Sequence, residues 1–153
     1  MRILHISDFH LDKIDRQDSI THIVEPLINT INDLQEEKPI DLIIFTGDLI
    51  NIGGKNYSDI KEAFIDCEEV LFKPILKATK LNKERIYFVP GNHDICRNLD
   101  TKRIEKGLEE TLINQKEINT FFDEPEGINR ILPFKEFEKY YYDKVSNNPK
   151  ITN

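Results

Sequence analysis

Acidic, imidazole and amide side chains follow three short apolar runs at widely separated places in the sequence. Asp8 and His10 follow the first run, Gly47 and Asp48 follow the second, and a Gly-Asn-His-Asp segment at 91–94 follows the third. Carboxylate oxygen, neutral imidazole nitrogen and amide oxygen are ligands that suit manganese, iron or zinc. Each motif alone is common in solvated loops. The three together, each directly after an apolar run, indicate one shared divalent-metal site.

The elements that must position these residues can be read from the apolar pattern. The runs at 2–7, 42–45 and 86–89 have the length and composition of buried strands. The two segments between them carry apolar residues at steps of three and four, which predicts amphipathic helices. This alternation predicts right-handed crossovers, a parallel sheet and an α/β fold. Since the carboxyl ends of parallel strands share one edge, the three polar clusters should meet there.

The two connecting helices carry start and interruption signals. The first should begin at Asp18 or Ser19, either of which can cap it, and Pro26 should kink or interrupt it. Ser58 can cap the second helix, and Pro74 should bend its last turns. The strands are almost continuously apolar, which is typical of a sheet covered on both faces.

Asp8-Phe9-His10, Gly47-Asp48 and Gly91-Asn92-His93-Asp94 together resemble the first three motifs of the calcineurin-like metallophosphoesterase superfamily. The resemblance covers residues 1–97. It implies the parallel βαβαβ half of a four-layer α/β sandwich. It also implies a hydrolase acting on phosphoester bonds. A phosphodiester substrate is favoured because the third motif, with Arg97 close behind, looks most like the diesterase and nuclease members.

The resemblance implies a metal-binding role for four residues. Asp8, His10 and Asp48 would hold a first ion. Asp48 would bridge to a second ion, which Asn92 would also bind. Manganese is the expected metal, with iron or zinc as alternatives. Two such ions a few ångströms apart can activate water and clamp an in-line phosphoryl transition state.

The resemblance also implies roles for three residues that are not ligands. His93 would face the leaving-group oxygen and either donate a proton or stabilise charge. Asp94 would orient the His93 ring and favour its cationic form. Arg97 would bind a phosphate oxygen in a fork, the alternative being a solvated loop cation.

The sequence departs from the family pattern after the third motif. The family needs further histidines from later strands to complete both metals. The chain has four histidines, His5, His10, His22 and His93, and none follows residue 93. His5 and His22 are expected to be structural or solvated. We therefore expect an incomplete second metal site, an absent C-terminal half of the fold, and an isolated chain that is inactive or weakly active.

Residues 98–153 are expected to form a helical, insertion-like segment of the same domain. Helices are predicted at 102–112, 115–122 and 134–142, with a turn at 123–127 and a loop at 146–149. Without the later strands, one apolar sheet face should lack cover. That predicts self-association or a partner, such as the remainder of the domain, unless the helical segment folds over the face.

Composition narrows the possible partners. The chain has 153 residues, 39% of them apolar, which suits one domain or most of one. Its net charge of -7 argues against a long nucleic-acid groove, so nucleic acid is expected only as a substrate. The apolar runs are too short for a signal peptide or a membrane helix. Cys67 is expected in the core and Cys96 in a loop; no disulfide framework is possible, which favours the cytoplasm.

Two other functional interpretations remain open. The chain could be a non-catalytic binding or structural module that retains a half-site, or an effector module of a larger multidomain protein. A phosphate-transfer protein with an aspartyl nucleophile is disfavoured. It would need a second acidic residue where His10 stands.

Overall fold

The computed structural model describes residues 1–96, Leu99, 102–117, Asn119 and 128–143. Three strands form one parallel sheet in the order β1-β2-β3. They are β1 (Ile3–Ile6), β2 (Leu42–Thr46) and β3 (Ile86–Val89). The predicted parallel α/β fold is confirmed. The bounds of β3 agree with the prediction, β1 is shorter by one residue at each end, and β2 is longer by one.

Helical segments connect the strands and follow the last one. Between β1 and β2 lie α1 (Arg16–Ser19), a π turn (Ile20–Val24) and α2 (Glu25–Glu37). Between β2 and β3 lie a 3-10 turn (Ile52–Gly54), α3 (Ile60–Cys67), a second π turn (Glu68–Phe72), α4 (Lys73–Thr79) and another 3-10 turn (Lys83–Arg85). Beyond the sheet are α5 (Lys102–Thr111), a 3-10 turn (Ile128–Ile131) and α6 (Leu132–Asp143).

The helices predicted after residue 98 are present where the structure describes them. The helices expected at 102–112 and 134–142 correspond to α5 and α6. Within the helix expected at 115–122, the described residues 115–117 and 119 are helical. The predicted turn at 123–127 and loop at 146–149 lie outside the described residues.

A π turn directly precedes each helix that carries Pro26 or Pro74. Both prolines occupy the second position of their helices, α2 and α4. Proline has no N–H to donate, and its ring clashes with the carbonyl four residues earlier. A wider π turn relieves that clash without ending the helical path. The interruption predicted at Pro26 is therefore confirmed, and a π turn also precedes Pro74, where a bend was predicted.

The helix starts differ from the prediction by one or two residues. α1 begins two residues before the predicted Asp18. α3 is capped by Asp59, whose carboxylate accepts a hydrogen bond from the N–H of Lys61 at 3.1 Å. The predicted cap, Ser58, instead donates its N–H to Glu62 at 3.2 Å. Both carboxylates stabilise the positive end of the same first turn.

The connecting helices cover only one face of the sheet. Because the strand order is sequential, both right-handed crossovers step in the same direction and place their helices on the same side. The side chains of that face are Leu4, Ile6, Ile43, Phe45, Ile86 and Phe88; the last four are buried in the hydrophobic core, and the first two are partly buried and pack against it. On the other face, Ile3, Tyr87 and Val89 are 41%, 40% and 47% exposed. The described residues thus do not cover both faces.

The last described helix packs on the face that is already covered. Phe137 of α6 stacks on Phe64 of α3, with ring centroids 5.0 Å apart. Phe88 of β3 meets the ring of Tyr142 at 5.4 Å, and the Tyr142 hydroxyl donates to the carbonyl of Ile86 at 2.7 Å. Among the described residues, the helical segment therefore does not fold over the open face, and the expected apolar surface remains exposed.

Candidate metal centre

The loops that leave β1 and β2 stay hydrogen-bonded beyond the strands. The N–H of Asp8 donates to the carbonyl of Gly47 at 3.1 Å, and the N–H of His10 donates to the carbonyl of Asp48 at 2.9 Å. The first and second motifs therefore lie side by side, at the edge where parallel strands end.

Two glycines bring the third motif against the second. Gly47 has a φ of +101°, which a glycine adopts without steric strain, and a Cβ there would lie 2.8 Å from the Cα of Gly91. A Cβ on Gly91 would lie 2.1 Å from Oδ1 of Asp48. With both side chains absent, the N–H of His93 reaches Oδ1 of Asp48 at 2.9 Å. The three motifs meet as their common position after the strands predicts.

The spacing around His10 fits a divalent ion. Its Nε2 lies 3.7 Å from Oδ1 of Asp8 and 3.9 Å from Oδ2 of Asp48. These distances are too long for hydrogen bonds. Two atoms bound to one ion at about 2.1 Å can be up to about 4.2 Å apart, so both pairs are within that limit. The other nitrogen, Nδ1, is buried without a hydrogen-bond partner among the described residues.

The three candidate ligands of the first ion share an unusual backbone conformation. Asp8, His10 and Asp48 have φ values of +58°, +50° and +56°. Few residues other than glycine adopt this left-handed region, and each instance costs about 1–3 kcal/mol that the surroundings must offset. Such strain clusters at functional sites. It supports the assignment of these residues to a site, and Asp and His adopt this region more readily than most residues other than glycine.

The His93 ring lies against the same group. The ring centroids of His10 and His93 are 4.6 Å apart, with the rings at 75°. One ligand atom from each of His10, Asp48 and His93 falls within 4.8 Å of the other two. His93, which we expect not to be a ligand, thus lies beside two of the candidate ligands of the first ion.

The side chain of Asp94 accepts hydrogen bonds from main-chain amides of two loops. Its carboxylate is fully buried. Its Oδ1 accepts from the N–H of Ile50 at 3.0 Å, and its Oδ2 accepts from the N–H of Gly91 at 2.9 Å. Burial raises the pKa of this carboxyl above its ordinary value, although the two amides oppose the shift. Because both oxygens face main-chain amides, Asp94 ties the loop after β2 to the turn after β3.

The remaining predicted ligand, Asn92, and the two other histidines can each be placed relative to the candidate site. Asn92 stands between Gly91 and His93 in the turn after β3, with an exposed side chain. Arg97 lies outside the described residues. His5 is 2.8 Å from the hydroxyl of Thr46, a residue of the open sheet face. His22 is exposed in the first π turn.

Sequence reasoning missed a buried carboxylate beside the first motif. Asp12 accepts hydrogen bonds from the side-chain amides of Asn51 at 3.2 Å and Asn56 at 2.9 Å, and from the N–H of Ile14 at 3.0 Å. Burial alone would raise the pKa of Asp12, but these hydrogen bonds outweigh it and lower the pKa. Asp12 therefore fastens the first loop to the second. The asparagines of the 51–56 loop were the only sequence signal for this contact.

Comparisons with known proteins agree with this geometry. A family model described as calcineurin-like phosphoesterase matches residues 1–152. The chain belongs to the calcineurin-like phosphoesterase family, and the resemblance carried by its three motifs is confirmed. Metal-dependent hydrolysis of phosphoesters is the chemistry of that family, and the His and Asp side chains at the strand ends form a candidate metal site.

A similar protein has been named in Bacillus subtilis (strain 168). The chain is 32% identical over 99 residues to its "uncharacterized metallophosphoesterase-like protein YydB". The match covers 65% of this chain and 18% of that protein, so the chain spans only a small part of its relative's length. No solved structure matches the chain significantly.

Proposed function

We propose that the chain carries the first part of a dinuclear, metal-dependent phosphodiesterase site. The observation that supports this most is the distance from His10 Nε2 to a carboxylate oxygen of Asp8 and to one of Asp48, since each distance is within the limit for two atoms bound to one ion. The close approach of Gly91 to Gly47 and Asp48, which brings the third motif against the second, also supports the proposal.

Four side chains would hold the metals. Asp8, His10 and Asp48 bind the first ion, and Asp48 with Asn92 binds the second. Manganese is proposed, with iron or zinc as alternatives, because the donors are oxygen and imidazole nitrogen. When bound, the two ions supply a water activated for attack and positive charge opposite the phosphoryl oxygens.

Other residues would act on the substrate. His93 faces the leaving-group oxygen as the phosphorus–oxygen bond breaks, and either donates a proton or stabilises the charge. Arg97 binds a phosphate oxygen in a fork. Asp94 acts indirectly, by holding the loops that carry Asp48 and His93.

The isolated chain should have low activity. The second ion has only Asp48 and Asn92 as proposed ligands, and the sequence contains no histidine after residue 93. Further ligands would come from additional polypeptide, whether another part of a longer protein or a partner. The same shortage favours the second candidate, a non-catalytic binding or effector module that retains a half-site.

We place the protein in the cytoplasm. Cys67 is buried in the core as predicted, Cys96 is half-buried, and both are free thiols. None of the described helices combines the length and the apolar composition that crossing a membrane requires.

The test is hydrolysis of bis-p-nitrophenyl phosphate with manganese, by the 153-residue chain and by the complete product of its gene. We expect turnover by the complete product, loss of that turnover in Asp48→Asn, and little change in Asp33→Asn, which alters an exposed carboxylate on α2. The 153-residue chain should be far slower or inactive. Rapid turnover by the chain alone would contradict the incomplete second site. No turnover by the complete product with manganese, iron or zinc would support the non-catalytic module.

A further inference from the structure

A backbone amide meets the ring nitrogen of His93. The N–H of Ile52 points at Nδ1 of His93 with a nitrogen–nitrogen distance of 3.2 Å. The next amide, that of Gly53, donates to the carbonyl of His93 at 2.8 Å. Two consecutive amides of the 3-10 turn thus hold both the ring and the main chain of His93.

The turn that supplies these amides is strained. Ile52 has a φ of +42°, although a β-branched residue is a clear outlier in the left-handed region. Its side chain is 52% exposed, so burial in the core does not account for the conformation. Gly53 follows at +61°, and a Cβ there would lie 2.7 Å from the carbonyl oxygen of Ile95. This strained conformation places the amides of Ile52 and Gly53 against His93.

We propose that the Ile52–Gly53 turn is a positioning element that sets the tautomer of His93. A ring nitrogen that accepts a hydrogen bond carries no proton, so the neutral ring carries its proton on Nε2. Asp94 does not set this tautomer, because an ionised carboxylate only accepts hydrogen bonds and Nδ1 of His93 already accepts from the N–H of Ile52. The inference rests on the proposed function, in which His93 faces the reacting phosphoester.

This tautomer decides between the possible roles of His93. With Nε2 protonated and Nδ1 engaged by Ile52, the neutral ring has no free lone pair for a metal, although it lies close to His10 and Asp48. Loss of the Nε2 proton from this neutral ring would leave an imidazolate. His93 therefore serves as a hydrogen-bond donor that stabilises charge on the leaving-group oxygen, and it keeps its proton.

The test is NMR of the metal-free chain with isotope-labelled nitrogen, at alkaline pH where imidazole rings are neutral. We expect the ring-nitrogen shifts of the Nε2–H tautomer for His93. We also expect a scalar coupling across the hydrogen bond, between the amide nitrogen of Ile52 and Nδ1 of His93. A ring protonated on Nδ1, or an even mixture of tautomers, would overturn the proposal in the wild-type chain.

Two glycine variants distinguish an effect on the position of the His93 ring from a general loss of stability. Gly53→Ala forces the turn away from Ile95 and should abolish the coupling and mix the tautomers. Gly54→Ala is the matched control: its Cβ would press on Ala63, 3.1 Å away, and the tautomer of His93 should persist. An unchanged tautomer in a folded Gly53→Ala chain would overturn the proposal.

A third variant covers the case in which Gly53→Ala does not fold. Ile52→Gly keeps the N–H and removes the strain, so the Nε2–H tautomer should remain; its loss would contradict the assigned hydrogen bond. Titration with Mn²⁺ distinguishes this inference from the proposed function. If Mn²⁺ binding fails while the tautomer is as expected, the proposed function is wrong. If Mn²⁺ binds while His93 carries its proton on Nδ1, only the positioning role is wrong.

Discussion

The main-chain N–H of His93 donates to Oδ1 of Asp48 at 2.9 Å, across 45 residues of sequence. The second oxygen of the same carboxylate faces Nε2 of His10 at 3.9 Å. One side chain thus connects the second motif to both of the others. An asparagine at position 48 could keep the bond to His93 through its carbonyl oxygen while removing the charge. Asp48→Asn therefore tests metal binding with little disturbance of the fold.

The close contact between Gly91 and Asp48 predicts that Gly91→Ala destabilises the chain. The added Cβ would lie 2.5 Å from the main-chain nitrogen of Asp48, which cannot move aside as a flexible side chain would. We expect a loss of about 2–3 kcal/mol in the free energy of unfolding, measured by urea denaturation. Gly107→Ala, in α5, is the control, because a Cβ there meets nothing within 4 Å. The free energy of unfolding of Gly107→Ala should rise by about 0.5–1 kcal/mol. Equal stability of Gly91→Ala and wild type would contradict this packing.

The left-handed conformation of Asp8 predicts a gain in stability at the expense of metal binding. Asp8→Gly should raise the free energy of unfolding by up to about 1 kcal/mol, because glycine relieves the strain. The side chain is 66% exposed, so little packing is lost. Lys80→Gly, at a φ of +57°, should give a similar gain. Only Asp8→Gly should weaken Mn²⁺ binding; a destabilised Asp8→Gly chain would argue against strain at this position.

The ion pair between Glu68 and Lys83 predicts that the stability of the fold depends strongly on Lys83. The side chain of Glu68 is only 6% exposed, and Lys83 also lies over the ring of Tyr141, 4.4 Å from its centroid. Lys83→Met should lower the free energy of unfolding by about 3–5 kcal/mol, because it leaves a buried carboxylate unpaired. Adding Glu68→Leu should recover much of that loss. A double variant no more stable than Lys83→Met would show that the pair is not the cause.

The open sheet face predicts self-association of the 153-residue chain, or a tightly bound partner. Ile3 and Val89 lie on this face and are 41% and 47% exposed. Light scattering should give a mass above that of a monomer, and Ile3→Lys with Val89→Lys should shift it to the monomer. The matched control introduces lysine at Ile14 and Ile23, exposed residues outside the sheet, and should not change the mass. A wild-type chain that is a free monomer at every concentration would contradict the prediction.

Much of the sheet could be predicted from the sequence because its signals are local. The strand at 86–89 was correctly bounded by its apolar run and the following Pro90-Gly91. The convergence of the motifs followed from a general property of parallel sheets. By contrast, the covered and open faces depend on the order of the strands in space. An apolar run does not reveal that order, and the strands therefore suggested cover on both sides.

The contacts within the site were harder to predict from the sequence than the sheet was. The family resemblance implied that Asp94 orients the His93 ring, but it gave no sign that the Asp94 carboxylate accepts from the N–H groups of Ile50 and Gly91. The group that meets the His93 ring is a main-chain amide, which every residue but proline carries. Its position depends on the left-handed φ of Ile52, which the residue type opposes. No pattern in the sequence could have identified it.

Calorimetric titration of the metal-free 153-residue chain with Mn²⁺ tests the central claim most directly. The arrangement of Asp8, His10 and Asp48 predicts one binding site, weakened at least about tenfold in Asp48→Asn and unchanged in Asp33→Asn. The second site should be weak or empty, because Asn92 and the shared Asp48 are its only proposed ligands. Two tight sites, or a single site that Asp48→Asn leaves unchanged, would contradict the account.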